Sequence, residues 1–200
     1  NPVLSNLLFD FVREILLKHQ YSDCPETAQE QTRFAMKFQQ VTSPVMAKSV
    51  EDTTFYIYNR LTSLNEVGAD IEQFGISAAT FHVRMKERQK QWPHSLSTTS
   101  THDTKRSEDV RARVNALSEL PLEWRTRLRR WHMLNKGKKR LVHDQRVPDR
   151  NDEALLYQSL LGVWPFGPMN ASQYRIFCDR IQGYMAKAIR EAKVHTSWIN

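Results

Sequence analysis

The chain has 200 residues, 40% of them hydrophobic and 26% charged. That is the composition of one ordinary globular domain or two small ones, too apolar and aromatic for disorder. A complete (β/α)8 barrel takes about 250 residues, so the length excludes a whole one. The net charge of +7 is uneven: residues 105–150 hold 14 Lys/Arg against 6 Asp/Glu, and the remainder 15 against 16.

Taken in chain order, the pattern is mostly helical. Leu4, Leu7, Leu8, Phe11, Val12, Ile15 and Leu16 recur at the three-to-four spacing of an amphipathic helix, with Asn1 as cap and Pro2 in the first turn. Asp23 caps a second helix with Pro25 in its first turn, and Ser43-Pro44 repeats the cap-then-proline signature. Residues 44–62 read as broken helix, although Phe55 to Tyr58 suit a strand equally well. Leu64 to Gly75 is a loop with Gly68 and Gly75 as breakers. Ser77 caps a helix from 78 to about 91, ended by Pro93. Residues 95–101, small, β-branched and uncharged, make the best candidate for a strand or extended segment, expected to be irregular or a short edge element where it has no parallel neighbours.

Ser107 caps the next helix, with Glu108 and Asp109 at its positive end. Pro121 opens another, through Trp124, Leu128 and Trp131, to about Asn135. Residues 136–150 read as a basic loop. Asn151 caps a helix over 152–163, and a last one runs from about Ala171 to about Thr196 on a stripe of Tyr174, Phe177, Cys178, Ile181, Met185 and Ile189. The chain is therefore mainly α, with about seven helices and at most one or two short strands. Its 6 glycines argue against a βαβ-rich enzyme. It divides into a helical segment 1–94, a strand-like segment and polar turn at 95–104, and a helical segment 105–200 containing the basic loop.

No window approaches 18 uninterrupted apolar residues, and residues 1–10 lack the basic start of a signal peptide. Cys24 and Cys178 make neither a disulfide framework nor a zinc site, which suits a reducing, cytoplasmic setting. A start without Met and an end at Ile199-Asn200 without a polar tail suggest a piece of a longer chain. No phosphate-cradling glycine loop or metal-ligand spacing occurs, so no cofactor or metal is expected.

The densest polar cluster is Thr101-His-Asp-Thr-Lys-Arg-Ser-Glu-Asp109, between the strand candidate and a capped helix. His102 can bond a ligand hydroxyl, Asp103 can face a developing positive charge, and Lys105 and Arg106 can hold hydroxyls or an anion. Turn and cap roles fit the same residues. Lys48, Glu51 and Asp52 with Tyr56 and Tyr58 form a second group; carboxylates beside aromatics suit sugars, which offer apolar faces and hydroxyls. Helix capping and core packing fit these too. The run from Trp124 to His132 with Lys136, Lys138, Lys139 and Arg140 interleaves Trp with basic residues, as nucleic-acid binders do. On a helical wheel, however, Trp124, Leu128 and Trp131 share one face, which leaves Arg125, Arg129 and Arg130 as a solvated one.

Several stretches together carry a family resemblance: 41–56 (Val-Thr-Ser-Pro-Val-Met-Ala-Lys-Ser-Val-Glu-Asp-Thr-Thr-Phe-Tyr), 58–68, 100–113 around His102-Asp103, 148–153 with Leu156-Tyr157-Gln158, and 191–200. In this order they resemble the maltooligosyltrehalose synthases, glucosylmutases of the α-amylase superfamily. Ser43 and Ser49 stand where glycine is expected. The resemblance implies an internal section of a larger (β/α)8-barrel enzyme, an isomerase that turns the reducing-end α-1,4 linkage of a maltooligosaccharide into an α,α-1,1 linkage. It implies Asp103 as the carboxylate that stabilises the transition state, with His102 beside it. Lys48, Glu51, Asp52, Tyr56, Lys105 and Arg106 become candidates for holding the reducing-end glucose. The nucleophile and acid/base carboxylates would lie outside this chain, and the implied partners are the oligosaccharide and the rest of the parent chain, with no membrane. The alternatives are a basic helical nucleic-acid binder and a helical interaction domain.

Overall fold

A computed structural model describes residues 6–17 and 24–199. The chain forms two compact units, Asn1–Val50 and Glu51–Asn200. Among the described residues the first unit holds α1 (Asn6–Leu17) and α2 (Pro25–Met46). Pro25 stands in the first turn of α2 as expected, but the N-cap is Cys24 rather than Asp23; the expectations for Asn1, Pro2 and Leu4 lie outside the described residues. Pro44 does not start a new helix. It sits inside α2, which continues and then widens into a π-helical stretch, Ala47–Thr54. A proline removes one ladder hydrogen bond, and wider turns commonly appear next to such defects. The broken-helix reading of 44–62 is thus borne out, with the break placed after Pro44 rather than before it.

The second unit continues through α3 (Phe55–Ile57), a 3-10 turn at Thr62–Leu64, α4 (Ala78–Gln91), α5 (Glu108–Asn115), α6 (Pro121–Asn135), the strands β1 (Arg140–Val142) and β2 (Gln145–Val147), α7 (Arg150–Val163) and α8 (Ala171–Ala192). Ser77 caps α4 through its hydroxyl, which accepts from Thr80 N at 3.1 Å. Residues 95–101 form no strand. They are irregular, and the Arg88 guanidinium of α4 donates to Ser95 Oγ (3.3 Å), Leu96 O (3.2 Å) and Ser97 Oγ (2.7 Å). An extended segment with no parallel neighbour has nothing to satisfy its ladder groups.

The basic loop of 136–150 contains a hairpin instead. β1 and β2 pair antiparallel, Leu141 opposite Arg146, around His143 (φ 46°) and Asp144 (φ 60°). Two consecutive positive φ values make the tight turn whose twist suits a hairpin. The cap of α7 is Asp149, not Asn151: its carboxylate accepts from Asp152 N at 2.8 Å, and Asp149 N donates back to Asp152 Oδ2 at 3.4 Å. Asn151 donates instead to Ile57 O at 2.9 Å. α8 opens on a second such box between Asn170 and Gln173, and stops at Lys193 in the left-handed region.

α5 packs on α7 at close range, since a Cβ on Gly162 would lie 2.7 Å from Val110 Cγ1. Leu155 of α7, Tyr56, and Ala188 and Ala192 of α8 form the buried cluster, flanked by Tyr184 and Met185. The expected α8 stripe is half-buried from Phe177 to Ile189, while Tyr174 is exposed. On α6, Trp131 meets Trp124 edge-on (5.9 Å) and tilts against Tyr157 of α7 (5.1 Å), so both tryptophans serve packing. Gln158, wholly buried on α7, accepts from Thr62 N (2.8 Å) and donates to Asn59 O (2.9 Å). One side-chain amide thereby does for residues 59–62 what a neighbouring strand would. Among the described residues no helix is long and apolar enough to cross a membrane.

Candidate active site

His102 and Asp103 stand at the tip of a turn between the irregular 95–101 segment and α5. The turn closes on itself: Thr104 N and Thr104 Oγ1 donate to Thr101 O (3.3 and 2.7 Å), and Asp103 N donates to Thr101 Oγ1 (3.3 Å). The side chains project outward, 90% exposed for His102 and 68% for Asp103, with 3.2 Å between Nε2 and Oδ2. Among the described residues no other group bonds either side chain, so the Asp103 carboxylate keeps most of its acceptor capacity for a ligand.

The rear of the same turn is tied down. Glu66, on the loop after the 3-10 turn, accepts from Lys105 N (2.7 Å), Arg106 N (3.1 Å) and the Arg111 guanidinium (3.3 Å). Arg111 also donates to Arg106 O at 3.0 Å and to Thr99 O, which fastens both flanks of the turn to α5. Arg106 is 8% exposed and donates to Thr62 O (3.0 Å) and the Tyr184 hydroxyl (3.1 Å). A buried guanidinium requires such partners, because an unbonded one would lose its hydration for nothing. Lys105 Nζ pairs with Asp52 Oδ1 at 2.7 Å, both side chains largely covered.

The residues singled out in the sequence are thus distributed as follows. Asp52 and Lys105 are brought together, and Arg106 lies beneath them. Glu51 accepts from Gly68 N at 3.2 Å. Tyr56 is buried; burial, with Tyr184 nearby, pushes its hydroxyl up to about 12. Lys48 is an exposed residue of the π-helical stretch, in the other unit. Glu66 was not singled out, although it lies in the 58–68 stretch. It bonds backbone amides 39 and 40 positions away, which leave no trace in side-chain spacing.

Asp149, Asp152 and His195 also gather, their ligand atoms within 4.8 Å. The two carboxylates form the α7 capping box, and His195 Nε2 lies 3.2 Å from Asp149 Oδ2. Burial raises the Asp152 carboxyl, reinforced by Asp149. For Asp149 burial pulls the same way but is outweighed by the Asp152 N–H and His195, so it stays below the ordinary carboxylate range.

No family model matches the chain. It is 43% identical over 169 residues, 83% of its length, to a protein of Mycobacterium tuberculosis named as a maltooligosyl trehalose synthase. A solved maltooligosyl trehalose synthase superimposes on 90% of the chain with a TM-score of 0.71 at 40% identity, the chain covering 23% of that structure. The maltooligosyltrehalose synthase of Arthrobacter ramosus matches over 96% of the chain and 24% of its own, with a TM-score of 0.66 at 36% identity. The chain spans about a fifth of the length of the curated relatives it matches. Sequence and fold agree in this: the chain is similar, over most of its length, to one section of the maltooligosyl trehalose synthases it matches.

Proposed function

We propose that this chain supplies the transition-state carboxylate and part of the acceptor pocket of a glucosylmutase that converts the reducing-end α-1,4 linkage of maltooligosaccharides to an α,α-1,1 linkage. The observation that carries the reading is the His102-Asp103 pair, open at the tip of a turn whose rear is fixed by Glu66, Arg106 and Arg111. A carboxylate held in place before the substrate arrives stabilises the positive charge of an oxocarbenium-like transition state without reorganising. His102, 3.2 Å away, orients Asp103 and bonds sugar hydroxyls.

Glu51 and the Lys105–Asp52 pair are assigned to the reducing-end glucose, and Lys48 is assigned to it from sequence resemblance alone. Tyr56 and Arg106, buried below, contribute by positioning. For the glucose to re-attack through its anomeric hydroxyl, water must be kept out, so the pocket must close around it. In the complete enzyme, Asp103→Asn should lower kcat by at least about 10²–10³-fold, the scale of a lost preorganised charge; near-normal turnover would overturn the assignment. A retaining mechanism needs two further carboxyl groups about 5 Å apart across the bond, which we place outside residues 1–200. The chain by itself should therefore form no trehalose ends from maltopentaose, as product chromatography would show.

A further inference from the structure

A concentration of positive charge lies away from the His-Asp turn, in the groove between α6 and α7. Arg125, Arg129 and His132 recur at helical spacing along α6 and, with Arg150 at the start of α7, line a cavity of about 510 Å³ over Leu128 and Tyr157. The acid at this cavity is already engaged. Glu153 is 5% exposed and accepts from His132 Nδ1 and Lys139 Nζ, both at 2.7 Å. Burial would raise its carboxyl, yet Lys139 and His132 hold it below its ordinary value. An ionised carboxylate only accepts, so the neutral His132 ring carries its proton on Nδ1.

Among the described residues no side chain or carbonyl bonds His132 Nε2 or the guanidiniums of Arg125, Arg129 and Arg150. Arg127 on the same helix differs, pairing with Glu123 at 3.1 Å. Arg125, Arg129 and Arg150 are exposed at the rim of one hollow, so their like charges meet there with no acid of their own. Their fork of donors matches the oxygens of a phosphate or carboxylate. The cavity volume is that of a small-molecule site rather than of a polymer track.

We propose that this cavity binds an oxyanion group, held by Arg125, Arg129 and Arg150. Such a group can come from a free phosphorylated or carboxylated small molecule, or from an acidic side chain of the rest of the enzyme. The test is calorimetric titration with sulfate, whose charge is constant near neutral pH, at low ionic strength. Saturable binding is expected in this chain. Loss of Arg125 or Arg150 to Gln should weaken it by about tenfold, one charged hydrogen bond each.

Should a variant misfold by circular dichroism, the arginine side-chain NMR signals of the unsubstituted chain decide instead: sulfate must shift those of Arg125, Arg129 and Arg150 more than that of Arg127. Binding by both the chain and the complete enzyme assigns the cavity to a free anion; binding by the chain alone assigns it to an internal acidic side chain. Absence of saturable binding by the chain, indifference to both arginine substitutions, or tighter, steeply salt-dependent binding of duplex DNA would overturn the proposal.

Discussion

His102-Asp103 and Lys105-Arg106 are neighbouring pairs on one turn, one residue apart, yet their surroundings have little in common. The first pair is open to solvent and bonded only within itself, whereas the second is enclosed by Glu66, Asp52, Thr62 and Tyr184. Four polar residues within five positions thus divide into a face that can meet a ligand and a back that fixes where that face points. Charge and residue type do not separate the two roles, since Lys105 and Arg106 have ordinary sugar-binding chemistry. Burial and partners separate them.

The division can be broken by substitution. The largest effect expected is that of Asp103→Asn on turnover in the complete enzyme, with a melting temperature within a degree or two of the parent, because exposed positions contribute little to stability. Next is Arg106→Met, which takes the charged donor from the buried Thr62 O, leaving Asn65 N alone there, and from the half-buried Tyr184 hydroxyl. It should cost about 3 kcal/mol in a urea titration. If instead Asp103→Asn unfolds the protein and Arg106→Met leaves stability intact, front and back have been wrongly distinguished.

Glu153 tests whether a buried acid away from the turn behaves as its back does. Its folded carboxyl titrates below the ordinary value, so its stabilisation is present at neutral pH and disappears as the pH falls through that lowered value. Glu153→Gln should therefore be less stable than the parent near pH 7, and the gap should close in acid; thermal melts at several pH values check this. Smallest is Lys105→Met, which removes one partly covered pair and should cost about 1 kcal/mol or less, with the loss shrinking as salt is added to the urea titration.

The helices were the legible part of the sequence. Ser77, Ser107 and Pro121 each stand where a helix opens, because capping and proline chemistry are local. Local signals failed where they competed. Ser43-Pro44 imitates a helix start inside α2, and Asn151 imitates a cap two residues after the carboxylate that does the capping. The 140–147 hairpin escaped because His143 and Asp144 occupy left-handed positions usually betrayed by Asn-Gly. At the candidate site the turn itself was legible and its bracing was not. Glu66 acts on distant main-chain amides, and Arg106 took its place by burial, which only the folded chain decides.

Gln158 has a consequence of its own. The contact that seats residues 59–62 is an uncharged amide paired with main-chain groups, 2.8 and 2.9 Å long. Such a join neither gains nor loses a proton and is not screened by dissolved ions. The joins of the turn to Asp52 and to Glu66 through Arg111 are ionic. Concentrated salt should accordingly slacken the turn while the strand-like seat next to it holds, so that the chain's sensitivity to its medium is concentrated at the very place where we put the chemistry.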